Sequence, residues 1–255
     1  MDIDKIIARV TEQVLSELEA ESKILNKYST PLEDLAGKFE HSLLNPDTSL
    51  NKIIKGCSEA RQYRLANVCV NPYLVPFAAK QLEGSGVGIC SVVGFPHGAA
   101  STAAKITEIR ECIASGATEL DISLNIVAIK SGRYDDARKD LDMMVSANNG
   151  RIKLKAIYEQ GILTDDEKEK TLLMIRSSGV DFVKISNALT GKKAAEEDCR
   201  FVRGIVGRGL GIKIDGGVKT LEKALSIFES GATRIGLTSA LAICDEAKKE
   251  MQKNY

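Results

Sequence analysis

From about residue 32 the chain alternates with a regularity that few folds can accept. Short apolar runs recur, and each is followed by a longer stretch with helical spacing and charged faces. The pattern predicts strands near 38–43, 65–70, 87–93, 118–124, 152–158, 181–186, 210–214 and 233–237. Helices are expected near 49–61, 73–83, 100–115, 133–147, 165–178, 194–207, 219–230 and 239–252. Ser85-Gly86, Ser115-Gly116-Ala117, Ser178-Gly179-Val180 and Ser230-Gly231-Ala232 precede strands as glycine helix caps. Eight such units predict an α/β chain folded as a (β/α)8 TIM barrel. A dinucleotide-binding sheet would want GxGxxG after its first strand. That turn is Leu43-Leu44-Asn45-Pro46 and carries no glycine.

Residues 1–20 stand apart from the alternation. Ile3, Ile6, Ile7, Val10, Val14, Leu15 and Leu18 form one stripe at helical spacing, opposite a charged or polar face. The expected organisation is an amphipathic N-terminal helix over 1–20, a linker over 21–31 and a barrel domain over 32–255. The stripe over 2–19 admits two readings. It plugs the bottom of the barrel, or it detaches and docks on a partner. In the second case it resembles the encapsulation peptides of bacterial microcompartment enzymes, which implies shell or core proteins as partners.

Composition narrows the function classes. Lysine plus arginine and aspartate plus glutamate each number 35, for a formal net charge of +0. That argues against a nucleic acid held over a wide surface. No apolar run is long enough to span a bilayer, and Met-Asp-Ile-Asp-Lys does not begin a signal peptide. The six cysteines lie far apart without a CxxC pair, and the two histidines form no metal-binding motif. A cytoplasmic chain with core cysteines and no metal is expected.

In a barrel the active site lies at the C-terminal ends of the strands. Asp181-Phe182-Val183-Lys184-Ile185-Ser186 places a lysine inside an apolar run, where its ammonium must find a partner or lose its proton. Lys213 occupies the corresponding place on the next strand, and Asp121 interrupts the fourth. Two inward lysines on adjacent strands repel, which favours loss of a proton from one. Lysine nucleophile, neighbouring cation and carboxylate make a workable set for imine chemistry on a carbonyl. Lys153 and Lys155 lie on the fifth strand. Asp215-Gly216-Gly217 and Gly236-Leu237-Thr238-Ser239 follow the last two strands, where barrels often bind phosphate through free N–H groups and hydroxyls.

Several stretches resemble one family, the deoxyribose-phosphate aldolases, class I aldolases on a barrel. They are Val68-Cys69-Val70-Asn71-Pro72, Val92-Val93-Gly94-Phe95-Pro96-His97-Gly98 and Glu119-Leu120-Asp121-Ile122-Ser123-Leu124-Asn125-Ile126. The series continues with Lys130-Ser131-Gly132, Glu159-Gln160-Gly161-Ile162-Leu163-Thr164, Asp181-Phe182-Val183-Lys184, Ile212-Lys213 with Gly216-Gly217, and Gly231-Ala232-Thr233-Arg234-Ile235-Gly236.

The resemblance implies Lys184 as the Schiff-base lysine, Lys213 as the lysine that lowers its pKa and Asp121 as the acid–base group. Cys69 and Lys155 lie near the site. Ser186, Gly216, Gly217, Gly236, Thr238 and Ser239 are the expected substrate contacts. The implied reaction cleaves 2-deoxy-D-ribose 5-phosphate to acetaldehyde and D-glyceraldehyde 3-phosphate, without metal or cofactor, in a homo-oligomer. A lysine-imine aldolase for another phosphorylated sugar and a non-catalytic phosphate-binding barrel are the alternatives.

The sequence also departs from the family pattern. Ile185-Ser186-Asn187-Ala188 stands where Thr-Ser-Thr-Gly is usual, Glu40-His41-Ser42 where Asp-x-Thr is usual, and Asp215 where serine is usual. A carboxylate beside a phosphate site must face away or pair with a cation such as Lys219.

Overall fold

The computed structural model describes residues 32–193, 195–238 and 240–253. Eight strands close into a barrel in sequence order. They are β1 Phe39–Leu43, β2 Asn67–Val70, β3 Gly88–Val93, β4 Glu119–Ser123, β5 Lys153–Glu159, β6 Phe182–Ser186, β7 Gly211–Asp215 and β8 Arg234–Leu237. All pairs are parallel, and β8 closes on β1 through Phe39 with Ile235 and Glu40 with Gly236. The eight expected strands fall within two residues of these bounds. The N-terminal segment 1–20, its linker and Ser239 lie outside the described residues.

The helices behind the strands are Leu50–Tyr63, Val75–Leu82, Thr102–Ala114, Tyr134–Asn148, Asp165–Arg176, Glu196–Val206, Leu221–Glu229 and Ala240–Lys253. Their starts are chemically marked. Ser49 and Ser101 accept hydrogen bonds from Lys52 N and Ala104 N, while Thr164 and Glu167 form a reciprocal capping box. The short helices Leu32–Ala36 and Ile126–Lys130 were not anticipated. The second begins because the Asn125 side chain accepts from Ala128 N, ending the strand run early.

Strand parity separates two interiors. Val68, Val70, Leu120, Ile122, Leu154, Ala156, Val183, Ile185, Ile212, Ile214 and Ile235 belong to the large apolar core, between sheet and helices. Residues of opposite parity point into the barrel. They include Glu40, Cys69, Cys90, Asp121, Lys155, Lys184 and Lys213, all buried. The barrel thus uses its outer face for cohesion and its inner face for charge. All six cysteines are buried and unpaired. Among the described residues no helix is long and apolar enough to cross a membrane.

Among the described residues a buried charged pair also lies outside the barrel lumen. Lys105 Nζ is 2.8 Å from Asp140 Oδ2, with both side chains buried. Lys105 also donates to Ser123 O at 3.1 Å, and Thr102 Oγ1 donates to Asp140 Oδ1 at 2.7 Å. The pair ties two neighbouring helices to the end of β4. Asp140→Ala strands the ammonium and should destabilise the fold by about 3–5 kcal/mol. In urea unfolding, Lys105→Met with Asp140→Leu should cost far less than the two single changes added together. Additive losses would contradict the pairing.

Candidate active site

At the C-terminal end of the barrel a cleft of about 740 Å³ is bounded by Phe95, Lys184, Ser186, Asp215, Gly216, Gly217, Gly236 and Thr238. Lys192, Lys193 and Lys219 line it as well. Another cleft, of about 820 Å³, lies at the opposite end around Gly88, Glu119 and Lys153, away from the strand ends where barrel chemistry is placed.

Lys184 reaches the cleft floor from β6 and is only 1% exposed. Its Nζ lies 2.8 Å from Asp121 Oδ2 and 2.8 Å from Asp215 Oδ2. The Phe95 ring centroid is 5.7 Å away. Below the floor, Lys213 Nζ lies 2.7 Å from the same Asp121 oxygen and also pairs with Glu40. Lys155 Nζ sits 3.0 Å from Asp121 Oδ1 and 2.6 Å from Glu119 Oε2. Arg234 Nη1 lies 3.1 Å from Glu40 Oε1 and 3.6 Å from Glu119 Oε2. Cys90 Sγ donates to Asp121 Oδ1 at 3.2 Å. Asn67 completes Glu40, donating to Oε1 at 3.2 Å.

The expected trio Lys184, Lys213 and Asp121 therefore meets within hydrogen-bond distance, and Lys155 joins it. Cys69 is buried beside Cys90. Ser186, Gly216, Gly217, Gly236 and Thr238 line the cleft. Ser186 Oγ accepts from Ala188 N at 3.2 Å, fixing the chain as it leaves β6. Lys153 is not in the site; its Nζ is 3.9 Å from Glu119 at the other end of the barrel, and its side chain is 56% exposed.

Glu40, Glu119, Cys90 and Arg234 extend the network beyond the sequence expectation. Their signal was parity: each has the parity of Asp121 or Lys213 on its strand. The donor atoms of Glu40, Cys69, Cys90 and Asp121 come within 4.8 Å of one another. The positive charge facing these carboxylates is that of Lys155, Lys184, Lys213 and Arg234, so we assign them no metal.

Two expectations need correction. Repulsion from Lys213 pulls the Lys184 pKa down, but it does not decide the net shift. For Lys184, burial is the largest single pull and acts downward, but Asp121 and Asp215 together outweigh it, and the net shift is upward. Lys213 is raised in the same way, against burial, by Asp121, Asp215 and Glu40. Asp121 opposes a large burial penalty with Lys155, Lys184 and Lys213 and ends well below the usual carboxylate range. The resting site is thus a lattice of charges of both signs, with Lys184 as an ammonium.

The second correction concerns Asp215. Its partner is Lys184, not Lys219. The carboxylate lies over Gly236, where a Cβ would fall 1.9 Å from Oδ1. A side chain there would push the Asp215 carboxylate from its place. Gly217 has φ +77°, and a Cβ there would meet Lys193 Cβ at 2.9 Å, so the loop carrying Lys193 packs closely against the β7 turn.

A model described as DeoC/LacD family aldolase matches residues 32–246. The chain belongs to this family. Over 221 residues it is 39% identical to deoxyribose-phosphate aldolase 2 of Bacillus licheniformis, covering 87% of this chain and 99% of the relative. Over 205 residues it is 42% identical to the deoxyribose-phosphate aldolase of Staphylococcus saprophyticus, covering 80% and 93%. Among solved structures it is similar to the tetrameric deoxyribose phosphate aldolase of Aeropyrum pernix. That match has a TM-score of 0.80 and 26% identity, over 89% of this chain and 95% of that one. As a DeoC/LacD aldolase, the chain carries its lysines and Asp121 on the strands that build the cleft floor.

The pKa shifts fix the sign of the acid response. Glu40 is held at about 2: burial pushes it up, and Lys155 and Lys213 pull it down further. A carboxylate depressed in the folded state stabilises above its unfolded value, and loses that contribution as pH falls through the folded one. The window here runs from about pH 4.5 down to about 2. The melting temperature should fall steeply across it. Glu40→Gln should melt lower at neutral pH and lose less across the same window, as read by thermal melts at a series of pH values.

Proposed function

We propose that the chain reversibly cleaves 2-deoxy-D-ribose 5-phosphate to acetaldehyde and D-glyceraldehyde 3-phosphate through a Schiff base on Lys184. The observation that carries the reading is the placement of Lys184. Its amine is at the floor of the cleft, bonded to Asp121, in a chain about 40% identical to deoxyribose-phosphate aldolases.

In this reading the Lys184 amine condenses with the C1 aldehyde. The protonated imine then serves as the electron sink that lets the C2–C3 bond break. Asp121, oriented by Lys155 and Lys213, removes the C3 hydroxyl proton and later returns a proton to the enamine carbon. Hydrolysis releases acetaldehyde. The phosphate is assigned to the far side of the cleft, where Gly216, Gly217, Gly236 and Thr238 supply close backbone approach and Lys192, Lys193 and Lys219 supply charge. The altered stretch Ile185–Ala188 borders this region, so a panel of phosphorylated sugars with aldehyde detection belongs beside the assay.

Borohydride added during turnover of deoxyribose phosphate should leave an acetaldehyde-derived mass on the Lys184 peptide. Lys184→Met, folded by circular dichroism, should lose that mass and lower kcat by about a thousandfold or more. A mass on another lysine, or turnover surviving in Lys184→Met, would overturn the assignment.

A homo-oligomer fits the tetrameric relative, and a cytoplasmic setting fits the chain. Residues 1–31 precede the matched segment. The apolar stripe of residues 2–19 is assigned to docking on a second protein, with microcompartment shell or core proteins as the partner. Deleting residues 1–20 should leave kcat unchanged and abolish enrichment of a fluorescent fusion in purified microcompartments. Unfolding of the barrel on deletion would favour the plug reading instead.

A further inference from the structure

The functional reading uses Asp121 and Lys213, and leaves unexplained the second carboxylate on the reactive nitrogen. Asp215 Oδ2 is 2.8 Å from Lys184 Nζ, as near as Asp121. The two carboxylates differ in what else they hold. Asp121 is fully buried and spent on three lysines and Cys90: Oδ2 faces Lys184 and Lys213, and Oδ1 faces Lys155 and the Cys90 thiol. Asp121 already shares its charge with Lys155 and Lys213, so the Lys184 proton has a less committed acceptor in Asp215. Asp215 bonds Lys184 alone at close range, with Lys213 next at 3.9 Å from Oδ1. Its Oδ1 accepts no hydrogen bond, its side chain is 22% exposed, and it lines the cleft.

We propose that Asp215 is a catalytic residue of the imine-forming half of the reaction: it takes the proton of the Lys184 ammonium and delivers it to the departing carbinolamine hydroxyl. This rests on the Schiff-base reading of Lys184 and assigns a separate carboxylate to a separate step. In the first transfer, ammonium and carboxylate become amine and carboxylic acid, with no net change in charge. The amine lone pair forms the Nζ–C1 bond as the C=O π pair moves to oxygen, and one amine proton then passes from nitrogen to that oxygen, giving the neutral carbinolamine. The Asp215 proton then passes to that hydroxyl, the C1–O bond breaks, water leaves and the nitrogen lone pair forms the iminium. Asp215 is a carboxylate again, beside a cation at the same atom. Asp121 is left for the C3 hydroxyl and the enamine carbon.

The proton moves within the site, so its transfer needs no base from solvent. The charged and titratable groups facing this pair are Asp121 on β4, Lys213 on β7 and Cys69 on β2. Glu40 on β1 and Lys155 on β5 are joined to it through Lys213 and Asp121. Lys192, Lys193 and Lys219 line the same cleft.

The test follows the rate of borohydride-trappable imine at Lys184, with acetaldehyde as probe, by rapid quench and peptide mass. It compares wild type, Asp215→Asn and Asp215→Ser across about pH 6 to about 9, with folding checked by thermal melts. Wild type is expected to form the imine at a rate nearly independent of pH. Both variants should be slower near neutrality by about 10²-fold. Their rates should rise with pH, approaching tenfold per unit, because the amine must now lose its proton to solvent.

Equal or faster imine formation in both variants would overturn the proposal. It would make Asp215 a counter-ion that merely holds Lys184 protonated, since its removal frees the amine. A wild type that traps acetaldehyde at no lysine would instead overturn the Schiff-base reading itself, so the two failures are distinguishable. Two variants guard against a folding defect. Asparagine keeps the side-chain shape over Gly236, and serine restores the residue usual in the family pattern.

Discussion

Everything in this barrel depends on closing a charge balance where water cannot help. Four cations, Lys155, Lys184, Lys213 and Arg234, meet four carboxylates, Glu40, Glu119, Asp121 and Asp215, along the lumen. An unpaired ion there would be costly or would change its protonation. The pairings therefore act as a set. Asp121 holds three lysines, Glu40 joins Lys155, Lys213 and Arg234, and Glu119 bridges Lys155 and Arg234. The fold tolerates this because cohesion comes from elsewhere. Val183 and Ile185 flank Lys184 on β6 but face the helices, and the same alternation runs through Ile212, Lys213 and Ile214 on β7.

The depth of each ion decides its chemistry. Lys155 and Lys213 are shut beneath the floor, so their charges orient Asp121 and cannot meet a ligand without rearrangement. Lys184 lies one level higher, bordered by Phe95 and open to the cleft through its tip. Asp215 lies at that level too. Its carboxylate fills the space beside Gly236 on the neighbouring strand, which links a change of residue on β7 to β8. Reactive groups and supporting groups are thus chemically alike and differ by one step along the lumen.

This layering explains what the sequence could reveal. Strand positions were legible because a parallel barrel writes each strand as an apolar run. Lys184 and Asp121 were legible as lone charges inside such runs. Glu40 was harder, because Phe-Glu-His-Ser-Leu reads equally well as a strand with a polar side. Arg234 opens its strand, where sequence alone does not tell a lumen residue from a surface one. The largest error was electrostatic: two neighbouring lysines suggested a lowered pKa. That inference counted cations on adjacent strands and left out Asp215, two residues beyond Lys213 on β7, and Glu40, which lies on β1 beside the closing strand β8. A pKa depends on the sum over all neighbours, and sequence order conceals that sum.

The sum also gives Asp215 its meaning. Without it the lumen would hold four cations against three carboxylates, and the Lys184 proton would have no acceptor on the cleft side. With Asp215 present the lumen is neutral when Lys184 is an ammonium. It is neutral again when Lys184 carries an iminium, because both states place one positive charge on the same nitrogen. The carboxylate therefore matches the beginning and the end of imine formation equally. Its effect is concentrated on the uncharged states between them, where a proton must be held near the nitrogen and then given to oxygen.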